Sequence, residues 1–584
     1  MGFFKTAQRS CTLPGRLYEK FAATAEIPGN ELAAGCLALA LCFSLKALCV
    51  FYYRFDTDET QHLHVVWGWA NGFLQYRDIF DNHAPLFHIL YAPLLKLLGE
   101  SASTVFIMRL TMLPLYCITL WCIFSIGREL FSARHGLWAA VFTAFYPLCF
   151  FLSLSFRTDN LWAMFWMLSL ALLICGSLTA VKCFWAGFFL GAALGVSLKT
   201  TLLLASLGGS ALSVVVLCPR RYMSGHALGR FGKLTAALLA GLCIVPAAIV
   251  LVFYFKDALV PFYYGAVQHN MLPGLGKWRK TGYLHALIFP ASLIAMYAIA
   301  HIMGKKTALA GVRTRRIFVL FVCGIYFFAL NAFWPIIDAQ SYLPFYPLFG
   351  VLLAPVLLKL LPEGLLHIAQ YKPLSSPLRL IVPACVIILE IICVLGVAQE
   401  VAPRLERLTQ QVNLITDILR LTGPGDPVAD MKGETVFRPR SSYYVIEKIT
   451  RARIKRGLMT DDIPERLLAT RTCVAALDDI RLPSRARVFL NENYIPVGSL
   501  RVAGKLLAPP SDTVQPVTFS IGIPATYMII SQNGSTAGWL DGKPYDGSAC
   551  FLEAGRHEFR PAARDGKLAV VWAKAKMLGY SPFS

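Results

Sequence analysis

Charge is what this 584-residue chain has least of: 15% of its residues are Asp, Glu, Lys or Arg and 56% are hydrophobic. A soluble domain carries about a quarter of its residues charged. The shortage excludes a large soluble α/β enzyme, because the apolar segments recur as blocks of roughly 20 residues, each able to span a bilayer core. Acidic residues are scarcer than basic ones, 34 against 55, for a net charge of +21. A nucleic-acid partner does not follow, since the basic residues fall in short clusters between apolar blocks: Arg128 with Arg134, Arg220-Arg221 with Arg230 and Lys233, Lys305-Lys306 with Arg313, Arg315 and Arg316. That is the positive-inside pattern, and it assigns those loops to the cytoplasm. No CxxC pair suggests a metal, and most of the 16 cysteines sit inside apolar runs as small hydrophobes. Cys473 and Cys550 lie in the polar C-terminal region, where a disulfide between them stays open if that region faces an oxidising compartment. Internal repeats and low-complexity tracts are missing too. The first apolar run, residues 31–53, lacks a small-residue cleavage site and reads as a retained signal anchor behind a basic leader of Lys5, Arg9, Arg16 and Lys20.

What remains is a series of spans. With the basic loops held inside, helices are predicted near 104–127, 136–156, 160–180, 183–198, 201–218, 233–255, 284–303, 317–335, 342–361 and 378–398. Together with the first run these make about eleven crossings, with eleven to thirteen compatible with the weaker segments. The apolar stretch 85–98 is short for a span and reads as interfacial or re-entrant. The expected fold class is therefore mainly α, a polytopic transmembrane helix bundle: a cytoplasmic segment 1–30, a membrane domain 31–399 with its first extracytoplasmic loop at 54–103, and an extracytoplasmic mixed α/β domain 400–584. In the last region a helix is expected near 404–421, strands at 486–490 and 567–572, and turns at Pro509-Pro510, Asp541-Gly542 and Asp546-Gly547. It carries no recognisable catalytic motif.

Against this apolar background, Arg54-Phe55-Asp56-Thr57-Asp58-Glu59-Thr60-Gln61-His62 stands out where the first span meets water. Carboxylates near hydrocarbon are costly and need a local reason. Next to them, Leu63, Val66, Trp67, Ala70, Phe73 and Leu74 recur at helical spacing, which fits either an amphipathic helix on the membrane surface or a packing helix beneath the loop. On this threading Arg157-Thr158-Asp159, Lys199-Thr200 and Gln340-Ser341-Tyr342-Leu343-Pro344 reach the same outer face.

Carboxylates and cations sharing one membrane surface suit the transfer of a sugar from a polyprenyl phosphate to an acceptor outside the cytoplasm. The departing lipid phosphate needs cations or neutral donors, for which Lys199, Arg157, Tyr342 and His83 are candidates. The acceptor hydroxyl needs a carboxylate base, worth ~10²–10⁴-fold. One base suffices for a single, inverting displacement, whereas a double displacement needs a second carboxylate as nucleophile.

In order along the chain, Asp58-Glu59-Thr60-Gln61-His62, Gly72-Phe73-Leu74-Gln75-Tyr76-Arg77-Asp78, His83-Ala84-Pro85-Leu86, Arg157-Thr158-Asp159, Leu198-Lys199-Thr200 and Ser341-Tyr342-Leu343-Pro344 resemble the integral-membrane C-type glycosyltransferases, in the branch of protein O-mannosyltransferases and lipid A aminoarabinose transferases. The resemblance spans residues 31–361 and is most specific in the Asp-Glu loop. It implies that Asp58 is the catalytic carboxylate, with Glu59 beside it and Asp159 as the second acidic residue, and that Lys199 and Tyr342 stand near the carrier phosphate. His62, Arg77, His83 and Arg157 complete the implied substrate-binding set. Aminoarabinose transferases carry Lys-Pro-Pro where this chain has His83-Ala84-Pro85. The β-trefoil repeats of eukaryotic protein mannosyltransferases are not evident, which favours a bacterial-type enzyme of the inner membrane. The implied partners are a polyprenyl-phosphate sugar donor, a lipid, glycan or protein acceptor and the membrane, with no nucleic acid.

Plainer roles compete. Asp58 is also placed to cap a helix, Arg157 and Asp159 to form an interfacial ion pair, Lys199 to anchor a helix end and Tyr342 to join an aromatic belt. His62, His64, His83 and His88 with the nearby aspartates are a candidate zinc set, but His62 and His64, two apart on a helix, cannot face one ion together, which argues against a dedicated site. No cofactor is required, although a divalent cation bridging Asp58, Asp159 and the donor phosphate is compatible with the residues. A transporter or lipid-linked sugar flippase is the main rival function. Its charges belong near the bilayer midplane, where Glu390 is the one notable candidate. A membrane-anchored binding scaffold leaves the Asp-Glu loop without a purpose.

Overall fold

A computed structural model describes residues 27–217, 225–273, 275, 310–334, 336–360, 381–401, 405–476, 481–507, 515–532, 534–562 and 566–583. The expected span at 284–303, the Pro509-Pro510 turn and the clusters Arg220-Arg221 and Lys305-Lys306 lie outside the described residues.

Helices dominate the first two thirds. α1 (Gly29–Tyr52) leads through a short connection to α2 (Thr57–Ala70), and α3 (Leu86–Leu98) packs back on α2. α4 (Thr104–Leu110) and α5 (Met112–Leu130) form one nearly continuous rod. The expected 136–156 helix is instead two pieces, α6 (Ala133–Phe145) and α7 (Pro147–Leu152), because Pro147 has no N–H to donate and begins a new helix at its first turn. α8 (Thr158–Ile174), α9 (Ala180–Val196), α10 (Thr200–Leu217), α11 (Gly225–Phe255), α12 (Leu259–Tyr263), α13 (Ala310–Phe333), α14 (Tyr346–Pro355), α15 (Ile381–Val401) and α16 (Leu405–Leu421) follow. Among the described residues, four helices are long and apolar enough to cross a membrane: Gly29–Tyr52, Thr104–Leu130, Gly229–Phe255 and Gly311–Phe333. Six more are apolar but shorter, including Leu86–Leu98 and Thr158–Ile174.

Among the described residues, the closest helix approach is α9 against α11. A Cβ on Gly187 would stand 1.9 Å from the Leu238 carbonyl oxygen, and one on Gly241 would stand 2.0 Å from that of Phe184. With lipid tails as apolar as the side chains, such close backbone approach is what drives helix association in a bilayer.

The two ends of the bundle differ in charge. One holds Arg134 on Glu31 (2.6 Å), Arg315 on Glu129 and Arg316 on the Leu130 carbonyl (2.7 Å). The other gathers the C-terminus of α1 and the N-termini of α2, α8 and α10, where the carboxylates lie. Inside the helices, Glu390 is joined by further ionisable residues, among them one that the hydropathy pattern concealed. Lys46 of α1 is fully buried and donates to the Phe150 carbonyl (2.5 Å) and Ser153 Oγ (2.7 Å).

Beyond α16 the chain becomes mixed α/β. A central sheet runs in the order β1 (Val428–Ala429), β2 (Val474–Ala475), β4 (Leu500–Leu507), β12 (Leu568–Trp572), β6 (Ala525–Ser531) and β10 (Cys550–Leu552), with β3 (Tyr494–Val497) on β4 and β7 (Gly534–Ser535) on β6. Among the described strands, β1 and β2 alone pair in parallel. A second sheet orders β5 (Val517–Ile521), β11 (Gly555–Pro561), β8 (Gly538–Leu540) and β9 (Lys543–Tyr545). Asp541-Gly542 turns the β8–β9 hairpin with positive φ at both residues, 50° and 77°.

One expectation changes here, and two open alternatives are settled. Residues 486–490 belong to a helix, Ser484–Asn493, rather than a strand, because Ala486 and Leu490, four apart, bury one face. Cys473 and Cys550 are free thiols. The helix after the acidic loop is the packing alternative and not a surface helix: Gln61, His62 and His64 are as buried as Leu63, Val66 and Trp67, so its polar face is also covered.

Candidate active site at the carboxylate end of the bundle

The start of α2 is built by a capping box. Asp56 accepts from the Asp58 N–H (2.9 Å), and Glu59 Oε1 reaches back to the Asp56 N–H (3.0 Å). Asp56, not Asp58, is therefore the cap, which leaves the Asp58 side chain for other partners.

Glu59 has none to spare. Arg109 grips it bidentately, Nε to Oε2 at 2.7 Å and Nη2 to Oε1 at 2.6 Å, with both side chains fully buried. The Phe156 N–H adds a bond to Oε2 (2.9 Å). Arg109 also donates to the carbonyls of Val50, Tyr53 and Arg54 and lies 3.9 Å over the Phe55 ring. Its saturation corrects the expectation that Glu59 does chemistry: the pair joins α1, α2, α4 and the 153–157 turn. A single arginine in the otherwise apolar 104–127 run was the available sequence signal.

Asp58 lies in a chain of alternating charge. Arg157 and Lys432 both donate to its carboxylate. Arg157 also contacts Asp56 (3.1 Å) and Asp159 (3.5 Å), and Lys199 stands 3.5 Å from the other oxygen of Asp159. Burial works against the charged form of Asp58, but the Arg157 and Lys432 cations outweigh it and hold the carboxyl well below the usual range. Asp58 reciprocally raises Lys432 against the cost of burial. Thus the structure brings together Asp58, Arg157, Asp159 and Lys199.

His62, one turn after Asp58, meets His83 edge-on (ring centroids 4.6 Å apart) and contacts His88 through Nδ1 at 3.0 Å from Nε2. Its imidazole is held well below the ordinary histidine range by burial, with His83, His88 and Arg157 adding to the effect. His83 Nδ1 is 3.0 Å from Asp81 Oδ1. Arg77 and Tyr342 stand apart. Arg77 is half exposed and paired with its neighbour Asp78 (2.9 Å), and the Tyr342 hydroxyl donates to Asn331 Oδ1 (2.9 Å).

Lys432 was not anticipated. It rides on a loop after β1 that is shaped by two buried carboxylates. Asp430 accepts from Gly433 N (3.1 Å), Thr435 Oγ1 (2.7 Å) and Arg440 Nε (2.6 Å), while Glu434 accepts from Met431 N (3.1 Å) and Lys432 N (2.7 Å). Gly433 adopts φ +94°, and a Cβ there would meet the His64 Cβ at 2.8 Å, so only glycine lets the loop lie this close to α2. Further ties come from Val436 O to His64 Nδ1 (2.9 Å), Arg438 to Glu100 (2.8 Å), Tyr443 to the Tyr76 carbonyl and His269 to Glu447 (3.1 Å). Nothing in Asp430-Met431-Lys432-Gly433-Glu434 beyond a charged turn with a glycine marks it as part of this site.

Comparison with known proteins adds two findings. The family described as dolichyl-phosphate-mannose-protein mannosyltransferase matches residues 82–251, a stretch that contains His83, Arg157, Asp159 and Lys199 but not Asp58. In three dimensions the chain is similar to ArnT from Cupriavidus metallidurans in the apo state, with TM-score 0.53, 12% identity, and coverage of 80% of this chain and 96% of that one. It is likewise similar to the same protein bound to undecaprenyl phosphate, with TM-score 0.52, 13% identity, and coverage of 80% and 97%. At such identities the likeness is one of fold. No curated protein sequence matches the chain. The chain thus has the fold of an integral membrane protein and resembles the membrane C-type glycosyltransferases of the ArnT and mannosyltransferase type.

Proposed function

We propose that this chain, a membrane protein with the ArnT fold, is a glycosyltransferase that moves a sugar from a polyprenyl phosphate to an acceptor outside the cytoplasm. The observation that carries the reading is the alternating array Lys432–Asp58–Arg157–Asp159–Lys199 at one end of an apolar helix bundle. With Asp159 held between Arg157 and Lys199 and Asp56 capping the helix, Asp58 serves as the one base, which fits single displacement with inversion. The acceptor O–H proton passes to Asp58, the new bond forms at the anomeric carbon, and the bond to the phosphate oxygen breaks with its electron pair leaving on the polyprenyl phosphate. Arg157 and Lys199 then face the growing phosphate charge, where fixed cations lower the barrier most.

Paired with Lys432, Asp58 is a poor base. We infer that substrate entry draws Lys432 from the carboxylate to the phosphate, raising the basicity of Asp58 at the moment it is needed. Asp159 holds Lys199 and Arg157 in place, and His62 and His83 line the same corner. The basic opposite end of the bundle supports a cytoplasmic N-terminus and an extracytoplasmic 400–584 region. A donor phosphate recognised by protein cations needs no metal cofactor for this step.

The test is incubation of the purified protein with a radiolabelled polyprenyl-phosphate sugar and candidate lipid or peptide acceptors. Free polyprenyl phosphate formed in step with glycosylated product supports transfer. Movement of intact lipid-linked sugar across a vesicle, without release, would replace this reading with a flippase.

A further inference from the structure

The three imidazoles and one carboxylate behind Asp58 have more lone pairs than donors. Asp81, His62 and His88 are all fully buried, and one ligand atom from each lies within 4.8 Å of the others. The spacing is 3.0 Å from His62 Nδ1 to His88 Nε2 and 3.7 Å from His88 Nε2 to Asp81 Oδ2. Around a tetrahedral ion with bonds of about 2.0–2.1 Å, ligand atoms stand roughly 3.3–3.5 Å apart. Two of the three separations bracket that value, and the third, His62 to Asp81, lies within 4.8 Å.

Gln75 decides which nitrogen of His88 carries the proton. The Gln75 Nε2 faces two acceptors, Asp81 Oδ2 (3.1 Å) and the His83 carbonyl (3.1 Å), and its Oε1 accepts from Trp69 Nε1 (3.0 Å). With the amide so oriented, His88 Nδ1, 3.1 Å from Oε1, must be the N–H. Its Nε2 lone pair is then turned toward His62 and Asp81. An outer hydrogen bond that sets the tautomer of a histidine is the usual support of a metal-bound imidazole. Asp81 is supported in the same way, its other oxygen accepting from Gln61 Nε2 (2.6 Å) and His83 Nδ1 (3.0 Å). His62 Nδ1, 3.0 Å from His88 Nε2, donates to that lone pair, and the His62 Nε2 is buried with no partner among the described residues, so an ion taking the Nδ1 lone pair leaves the ring proton on Nε2.

We propose that His62 Nδ1, His88 Nε2 and Asp81 Oδ2 bind a zinc-class divalent ion. Two imidazoles and one carboxylate without thiolate suit zinc or cobalt rather than magnesium, which prefers an all-oxygen octahedron. The remaining coordination position belongs to water or to a donor that enters with substrate. The ion ties α2 to residues 81 and 88 one helical turn from Asp58, and through Asp81 it sets His83. Its role is positioning, and it does not depend on which reaction the site performs. His64, the histidine closest to His62 in sequence, takes no part, because it turns to the Val436 carbonyl instead.

The test uses the full-length protein in detergent, stripped with a chelator and then titrated with cobalt(II) chloride. One equivalent with the visible absorption bands of four- or five-coordinate cobalt, displaced by zinc, is the expected result. His88→Gln and Asp81→Asn, checked for a monodisperse elution profile, should weaken binding by at least about tenfold. Asp58→Asn should retain the absorption, which separates this site from an ion bridging Asp58 and Asp159. Wild-type protein that takes up no cobalt, or bands that persist in both His88→Gln and Asp81→Asn, would overturn the proposal. So would loss of the bands in Asp58→Asn alone.

Discussion

Lys432 donates to the Asp58 carboxylate across 374 residues of sequence, so that one side chain of the C-terminal region joins the carboxylate array at the helix ends. Three cations, Arg157, Lys199 and Lys432, and three carboxylates, Asp56, Asp58 and Asp159, meet there.

Replacing Lys432 by Met should move the acid limb of the transfer rate to higher pH. The sign follows from the pair: Lys432 helps hold Asp58 below the usual range, so its removal raises the Asp58 pKa and the ionised base is lost earlier as pH falls. A pH profile of kcat/KM measures this. An unmoved acid limb would show that Lys432 does not act on the titrating group.

Asp58→Asn should leave a folded protein whose transfer is slower by about 10²–10⁴ or more, the range expected for loss of a positioned base. Single-turnover release of polyprenyl phosphate reports it, with thermal unfolding in detergent as the control. Normal turnover would remove Asp58 from its assigned role.

Glu59→Gln should fail in the opposite manner. It leaves the buried Arg109 guanidinium without its counter-charge, a change that costs about 3–5 kcal/mol when one partner of a buried pair is removed. Lower yield and a reduced unfolding temperature are expected. In the double variant Glu59→Gln with Arg109→Met, the loss should fall short of the sum of the two single losses. Additive losses would mean that the two side chains act separately.

Glu434 supplies a pH-dependent element. Burial, reinforced by the Asp430 charge, raises its carboxyl from the ordinary 4.5 to about 7. A carboxyl raised on folding contributes stability that is complete below its unfolded pKa and is lost as pH rises through the folded one. The loop bearing Lys432 should therefore loosen between about pH 4.5 and pH 7. Amide exchange at residues 430–436, corrected for intrinsic rates, should show falling protection over that window, and Glu434→Gln should abolish the trend.

The native thiols suit a sidedness test poorly, since burial pushes Cys473 up to about 12. Gln532→Cys, at an exposed turn after β6, offers a better probe. A membrane-impermeant maleimide should label it from outside intact spheroplasts. Labelling only after permeabilisation would reverse the proposed orientation.

Much of the helical architecture was legible because hydropathy and breakers act locally. The first span, the helix at 405–421, the strand at 568–572 and the Asp541-Gly542 turn each follow from a few neighbouring residues. Residues 486–490 misled because five residues of mixed polarity satisfy a strand and a helix equally, and only the neighbours packed on Ala486 and Leu490 choose between them. The surface-helix alternative for α2 failed for a related reason. Amphipathicity shows which face is apolar, but not that a second layer, the 430–447 loop, covers the polar one.

By itself the sequence determined the apolar spans, their charge asymmetry and the presence of carboxylates at a helix end, all of which depend on residues near one another in the chain. Tertiary structure alone decided that Glu59 is consumed by Arg109, that Asp58 faces Lys432, and that His62 and His88 point at one another. These are pairings between side chains brought together by packing, and Coulomb attraction and lone-pair direction act over a few ångströms of space, whatever the distance along the chain.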